Sequence, residues 1–189
     1  MKTNIIANIL GRFWGVISGF VFIPLYIKYL GFENYSIISF TLIISAMMAI
    51  LDAGLTATLS REIARSDINK KEKISIFKTL ETCYIIIAVI CILIVFSSSS
   101  TIVSYLLNLT SISENKASYC IKIISFDIAF QLLFRFYMGG LLGLEKQIKA
   151  NAYQVGLGVL RNGLVLFGII FIPSLELFFY WQAGASIIF

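Results

Sequence analysis

The chain of 189 residues is 59% hydrophobic and 13% charged, with a formal net charge of +5 and a mean hydropathy of +0.91. A soluble domain of this length cannot bury so large an apolar fraction, so the composition excludes a soluble globular protein and predicts a polytopic membrane protein. The lysines and arginines fall in short segments between apolar runs, which makes the positive charge a signal of membrane topology rather than of nucleic-acid binding.

Six apolar runs predict an all-α, polytopic bundle of transmembrane helices that forms one domain over residues 1–189. The predicted spans are residues 5–30, 35–59, 83–107, 119–144, 151–172 and 177–189. The last run has about 13 residues, too few to cross roughly 30 Å of hydrocarbon as a helix, so we expect a truncated sixth helix. The chain is therefore expected to be the N-terminal portion of a longer protein, and a native protein with a short last segment is the alternative.

The basic residues are distributed unequally between the two sides of this predicted bundle. The richer side receives Lys2, the lysines and arginines of residues 61–78, Lys146 and Lys149. The other side receives only Lys28 and Lys116. Because basic loops stay in the cytoplasm, this imbalance predicts a cytoplasmic N-terminus.

The predicted span 119–144 carries three polar side chains that the other spans must accommodate. Asp127, Gln131 and Arg135 follow one another at steps of four residues, and each such step turns an α-helix by only about 40°. Insertion of an Arg or Asp at mid-helix costs roughly 3 kcal/mol, so this face cannot be turned to lipid. We expect it to face other helices, a partner or water, with the rest of the chain organised around it.

Three arginines are predicted at one level of the membrane. With the orientation above, Arg12, Arg135 and Arg161 lie about 10, 12 and 14 Å from the cytoplasmic boundary. Only Asp52 and Asp127 are available to pair with them, so a shared cavity would carry a net positive wall suited to an anionic solute such as phosphate. Alternatively, Arg12 pairs with Asp52 and Arg135 with Asp127, and Arg161 extends to the headgroups.

Each of these arginines has a neutral polar side chain on its own helix face, one or two turns away: Asn8, Gln131 and Gln154. The candidate substrate-binding residues are therefore Arg12, Arg135, Arg161, Asn8, Gln131 and Gln154.

The sequence offers no pattern for catalysis or for a resident cofactor. Histidine is absent, and Cys83, Cys91 and Cys120 are each embedded in apolar sequence, so no metal site and no disulfide framework is predicted. The chain lacks a P-loop, and residues 156–158 lack the third glycine of a dinucleotide fingerprint. We therefore predict a protein that is not an enzyme.

Several short segments of the chain form a recognisable set: residues 23–26 (IPLY), 30–35 (LGFENY), 51–55 (LDAGL), 59–65 (LSREIAR) and 139–147 (GGLLGLEKQ), with Asn151 opening the next span. In combination they resemble the O-antigen and polysaccharide flippases of the multidrug and oligosaccharidyl-lipid exporter superfamily. The resemblance covers about residues 5–165. Its departures are Ser36, where relatives often have glycine, and the missing second bundle.

This resemblance implies the N-terminal six-helix half of a twelve-helix, MATE-like transporter in the bacterial inner membrane. It implies alternating access around a cationic cavity, and transport of an undecaprenyl-diphosphate-linked oligosaccharide to the periplasmic leaflet for O-antigen, lipopolysaccharide or polysaccharide biosynthesis. It also implies coupling to an ion gradient, for which Asp52 and Asp127 are the candidate carboxylates. The implied partners are membrane lipids, the C-terminal half, and an O-antigen polymerase or glycosyltransferases.

Two other functions stay open at this point. A multidrug exporter of the same superfamily would prefer a cavity dominated by carboxylates, which the excess of arginine disfavours. A non-transporting scaffold for polysaccharide assembly, made from a truncated gene, would need no cavity at all.

Overall fold

The structure, a computed structural model, describes residues 20–52, 54–107 and 109–188. Regular structure within these ranges is helical throughout, without a strand, which confirms the all-α prediction. The helices are α1 (Phe20–Leu30), α2 (Phe32–Asp52), α3 (Leu55–Ala64), α4 (Lys70–Ser97), α5 (Ser99–Leu106), α6 (Glu114–Gly143), α7 (Gln147–Gly158), a π-helix (Val159–Leu164), α8 (Val165–Phe171) and α9 (Leu175–Ile188).

Three stretches of the described chain are long and apolar enough to cross a membrane: Lys70–Ser97, Glu114–Gly143 and Gln147–Phe171. Two shorter apolar stretches, Phe20–Leu30 and Phe32–Met47, precede them. The predicted count of six spans is not confirmed, because several predicted spans are divided or displaced in the structure.

The predicted second span, 35–59, is broken where α2 ends at Asp52 and α3 begins at Leu55. Across this break, the Thr56 hydroxyl donates a hydrogen bond to the Asp52 carboxylate at 2.5 Å. Gly54 is the residue immediately before α3. Glycine lowers helix stability, and an aspartate that bonds nearby polar groups favours a helix end. The prediction of one continuous helix over residues 35–59 is wrong for this reason.

The predicted third span, 83–107, begins later than the corresponding helix of the structure and is not one continuous helix. Helix α4 begins at Lys70 because the Asn69 side chain accepts from the Glu72 backbone N–H at 2.9 Å, while the Glu72 carboxylate accepts from the Asn69 N–H at 3.1 Å. This capping box satisfies two backbone donors of the first turn. At the other end, Ser98 separates α4 from α5.

The turn between α3 and α4 lies outside the apolar spans and is held by charge pairs. Arg65 donates to the carboxylates of both Glu62 and Asp67. The hydrogen bonds from Arg65 lower the pKa of Asp67 to about 2, so Asp67 is ionised at neutral pH.

Helix α6 is the centre of the bundle and contacts α2, α3, α4, α5, α7 and α9. Two apolar cores meet on it: one with α1, α2, α8 and α9 around Phe179 and Ile121, and one with α3 and α4 around Tyr84 and Phe136. The expectation that the segment 119–144 organises the chain agrees with this arrangement.

Polar contacts fix the end of the bundle where α1 meets α2 and where α6 begins. The Glu33 carboxylate accepts from the backbone N–H groups of Thr110, Ser111 and Ile112, at 2.6, 2.9 and 3.2 Å. Lys116 and Glu176 form an ion pair at 2.8 Å between the first turns of α6 and α9. These contacts hold α2 and α9 beside α6, which positions the polar side chains described below.

Candidate functional site

A cavity of about 310 Å³ lies between α1, α2, α6, the π-helix and α9. Aromatic side chains form much of its wall: Phe22, Tyr26, Tyr35, Phe178 and Phe179. A cluster of polar side chains also faces it: Asp127, Gln131, Arg161, Asn162 and Gln182. An apolar pocket with a few convergent polar groups is the usual form of a small-molecule site.

A buried ion pair between α6 and the π-helix lies at the polar side of the cavity. The Arg161 guanidinium makes two parallel hydrogen bonds to the Asp127 carboxylate, with Nη1–Oδ1 at 2.6 Å and Nη2–Oδ2 at 2.9 Å. The Ser186 hydroxyl donates to Asp127 Oδ1 at 2.6 Å and also contacts Arg161, and Gln131 Nε2 donates to Asp127 Oδ2 at 2.9 Å. The side chains of Arg161 and Asp127 are 16% and 7% exposed, so each charge is neutralised mainly by the other.

The π-helix presents three successive carbonyl oxygens to its neighbours. Trp181 Nε1 donates to the Leu160 carbonyl at 2.8 Å, Gln182 Nε2 donates to the Arg161 carbonyl at 3.0 Å, and the Tyr26 hydroxyl donates to the Asn162 carbonyl at 2.9 Å. π-Turns disturb the regular hydrogen-bond ladder and are frequent at functional sites. Here α1 and α9 supply the side-chain donors that support the distorted turn.

Gln182 has an acceptor atom that stays unused. Gln182 is 5% exposed and lines the cavity. No described residue donates a hydrogen bond to its Oε1 atom. Buried polar atoms are almost always satisfied, so an unpaired one in a cavity wall requires an explanation.

Arg135 lies about 12 Å further along α6 than Asp127, because eight residues separate them. It borders a small second pocket together with Ser45 and Gln131, and Gln131 also borders the large cavity. No carboxylate of the described residues lies within 4.0 Å of its guanidinium. The alternative pairing of Arg135 with Asp127 is therefore wrong, since two turns of the same helix separate these side chains and Arg161 takes the carboxylate.

Asp52 belongs to a separate cluster between α2, α3 and α4. Its carboxylate is held by the hydroxyls of Thr56 and Tyr84, which also contact each other at 2.7 Å. Asp52 is 9% exposed and Tyr84 is fully buried. The Arg135 guanidinium is near enough to interact electrostatically with the Tyr84 hydroxyl.

The structure therefore brings together only part of the predicted site. Asp127, Gln131 and Arg161 share the large cavity, Arg135 borders the small pocket beside it, and Asp52 lies in its own cluster. Arg12 and Asn8 lie outside the described residues.

Gln154 is exposed and does not line the large cavity. The prediction assumed that an unbroken α-helix joins Gln154 to Arg161. The π-turn that begins at Val159 changes the rotation per residue and shifts Arg161 around the axis relative to Gln154.

Sequence reasoning missed Gln182 and Ser186, which reach the site from α9. Their spacing of four residues places them on one helix face, and this polar step inside an apolar run was the available signal. The run was instead interpreted only as a truncated span.

Comparison with known proteins identifies a family. The family model described as "Polysaccharide biosynthesis protein" matches residues 1–189, the whole chain. No curated protein matches the chain. No solved structure matches it either.

Proposed function

We infer that this chain, which belongs to the polysaccharide biosynthesis protein family, takes part in moving a lipid-linked oligosaccharide across the bacterial inner membrane. The observation that carries this proposal is a cavity of about 310 Å³ with a cluster of polar side chains in its wall, next to a guanidinium without a carboxylate partner among the described residues. Ionisable groups between membrane helices are costly, and they commonly mark the path of a substrate or an ion.

We propose residues 1–189 as one transmembrane bundle with a cytoplasmic N-terminus and the cavity as its transport site. Oligosaccharides that are transported in this way are carried on a polyprenyl diphosphate, so both a sugar and an anion need contacts. The described carboxylate of the cavity is already paired with Arg161, which leaves no free anion there for a cationic drug. The same observation supports a lipid-linked oligosaccharide over a multidrug substrate.

Arg135 is the proposed contact for the diphosphate. Its partly buried guanidinium offers planar, bidentate hydrogen bonding, and no described carboxylate competes within 4.0 Å. Arg161, by contrast, would have to give up two hydrogen bonds to Asp127 before it could bind an anion.

Arg135→Ala is expected to lower the export of surface polysaccharide at least about tenfold, because a hydrogen bond to a charged group contributes about 1.5 to 3 kcal/mol. The protein would be expressed in a strain that lacks its own lipid-linked oligosaccharide flippase, and surface polysaccharide would be measured by immunoblot at equal membrane levels of each variant. Arg61→Ala, at an arginine whose side chain is 75% exposed, is the matched control and should export normally. Normal export by Arg135→Ala would remove the diphosphate role, and failure of the unaltered protein to restore export would remove the transport function.

Asp52 is the proposed carboxylate for ion coupling, with a proton as the bound ion. Three oxygen atoms, of Asp52, Thr56 and Tyr84, contact one another in pairs. If Asp52 is ionised, only two hydroxyl hydrogens serve three contacts, whereas a protonated carboxyl supplies the third.

Infrared spectroscopy at neutral pH tests the protonation of Asp52. We expect a carbonyl stretching band of a protonated carboxyl group that disappears in Asp52→Asn. Asp67→Asn is the control, since Asp67 has a pKa of about 2 and contributes no such band. A band of unchanged intensity in Asp52→Asn would contradict the third hydrogen that the contacts of Asp52, Thr56 and Tyr84 imply.

A further inference from the structure

We propose that an exposed patch between α4, α5 and α6 binds an anionic phospholipid, with Lys122 as the contact of its phosphate group. This lipid patch consists of Phe96, Ser97, Ser100, Ser104, Lys122 and Phe126. None of these residues lines the 310 Å³ cavity, and the inference does not depend on the proposed transport function.

Contacts between the helices show that the lipid patch is one continuous surface. Lys122 Nζ lies 5.3 Å from the centroid of the Phe96 ring, and that ring packs edge-on against Phe126 with centroids 6.5 Å apart. Four residues from Lys122, the Ser118 hydroxyl lies 3.3 Å from that of Ser100, which is four residues from Phe96. The two rings are 44% and 45% exposed, so acyl chains can pack against them beside the cation.

Lys122 carries a charge near the edge of the hydrocarbon without a carboxylate partner. It lies eight residues, or about 12 Å, after the first residue of α6, a helix whose 30 residues extend over about 45 Å. A bilayer with its headgroups is about 45 Å thick and its hydrocarbon about 30 Å, so Lys122 lies within about one helical turn of the hydrocarbon boundary. All ten Asp and Glu residues of the chain lie in the described ranges, and none of their carboxylates is within 4.0 Å of Lys122 Nζ. An anion from outside the chain would neutralise this costly charge.

The direction of the Lys122 side chain favours a lipid phosphate as that anion. The Cα–Cβ bond of a helical residue tilts toward the helix N-terminus, so Lys122 extends toward the membrane surface at which α6 begins. Phospholipid phosphates lie at this level, within reach of a lysine that starts just inside the hydrocarbon. The proposed topology makes this the periplasmic leaflet.

The serines of the lipid patch favour a headgroup that has hydroxyl groups. The Ser97 hydroxyl donates to the Leu93 carbonyl at 2.6 Å, and the Ser104 hydroxyl donates to the Thr101 carbonyl at 3.2 Å. Because their hydrogens are used within the helix, these two exposed oxygens can only accept from a ligand. Phosphatidylglycerol has a phosphate for Lys122 and hydroxyl donors for the serines, whereas the choline of phosphatidylcholine has no such donor.

Photo-crosslinking of the full chain in phosphatidylcholine nanodiscs tests the lipid patch. The probe is phosphatidylglycerol with a photoreactive group in its acyl chain, the reference is phosphatidylcholine with the same chain, and labelled peptides are identified by mass spectrometry. We expect residues 93–104 to be labelled in excess by phosphatidylglycerol, and Lys122→Met to lower this excess about tenfold, as for the loss of one hydrogen bond to a charged group. Labelling of the basic residues 70–78 should stay unchanged. An undiminished excess in Lys122→Met, or no excess in the unaltered protein, would overturn the inference.

Lys28→Met is the matched control for a general effect of surface charge. Lys28 is exposed and lies 5.6 Å from the centroid of the Tyr29 ring, but it belongs to α1 and not to the lipid patch. We expect Lys28→Met to keep the labelling excess at residues 93–104 within about twofold, and Lys122→Arg to keep it likewise because a guanidinium also binds phosphate. An equal loss in Lys28→Met and Lys122→Met would contradict a local phosphate contact.

Competition with inorganic phosphate distinguishes a lipid from a soluble anion. Inorganic phosphate has no acyl chain to contact Phe96 and Phe126, so we expect it to leave the labelling unchanged when compared with sodium chloride at equal ionic strength. Displacement of the lipid by inorganic phosphate alone would assign Lys122 to a soluble anion and overturn the inference.

Discussion

Asp127→Asn is expected to lower the free energy of unfolding by about 3 to 5 kcal/mol, because it leaves the buried Arg161 guanidinium without its counter-charge. The measurement is unfolding of the purified protein in detergent, followed by circular dichroism. Lys116→Met is the comparison variant, since it breaks the Lys116–Glu176 pair, whose side chains are 44% and 31% exposed. An exposed pair of this kind contributes about 0 to 1 kcal/mol, so a similar loss in both variants would contradict the buried character of the Asp127 pair.

The double variant Asp127→Leu/Arg161→Met extends this prediction. Replacing both partners of a buried pair by apolar side chains removes the unpaired charge, and we expect stability to return to within about 1 kcal/mol of the unaltered protein. If the double variant is instead less stable than either single variant, the two residues stabilise the fold through contacts other than their pairing.

Gly143→Ala is expected to destabilise the bundle by about 1 to 3 kcal/mol, through overpacking between α6 and α3. An added Cβ would lie 2.6 Å from the Ser60 carbonyl oxygen and 3.0 Å from Ile63 Cβ, and the first of these atoms belongs to the backbone and cannot rotate away. Gly139 approaches Thr56 in the same way one turn earlier, so the two glycines form a small-xxx-small contact. The helices would have to separate to accept the methyl group.

Gly140→Ala is the matched control for this prediction and lies in the same helix. Its added Cβ would meet Phe77 at 3.5 Å, an ordinary contact. Since alanine favours helix by about 1 kcal/mol over glycine, Gly140→Ala should be neutral or slightly stabilising. Equal unfolding midpoints for the two alanine variants would refute the close approach at Gly143.

The parts of the structure that the sequence predicted well depend on one long, regular helix. Asp127 and Gln131 share a face of α6 in contact with the cavity, and Arg135 borders the adjoining pocket, as the four-residue spacing indicated. A single unbroken helix transmits its periodicity over many turns, and the cost of charge in lipid then determines which face turns inward.

Pairing between helices was not predictable in this way. Arg161 lies beside Asp127 in a segment whose register is changed by the π-turn. No residue between Val159 and Leu164 predicts that turn from the sequence. Gln182 became part of the site only because α9 packs against α6. Helix rotation and helix contact are determined by packing across the bundle, which a sequence period does not contain.

Two helix boundaries were predicted wrongly although local sequence signals for them were present. Asn69 and Glu72 have the spacing of a capping box, and together they mark the true start of α4. Asp52 and Gly54 mark the end of α2 in the same local manner.

The ion pair of Asp127 and Arg161 affects how the membrane voltage can act on this protein. Asp127 and Arg161 carry opposite charges on two elements that are bonded to each other, so displacing them together through the electric field does no net work on the pair. Arg135 has no described carboxylate within 4.0 Å to cancel its charge, and moving one elementary charge through the full potential changes the energy by about 2.3 kcal/mol per 100 mV. A voltage dependence that originates on α6 therefore comes from charges outside this pair, such as Arg135 and Lys122, and from their ligands.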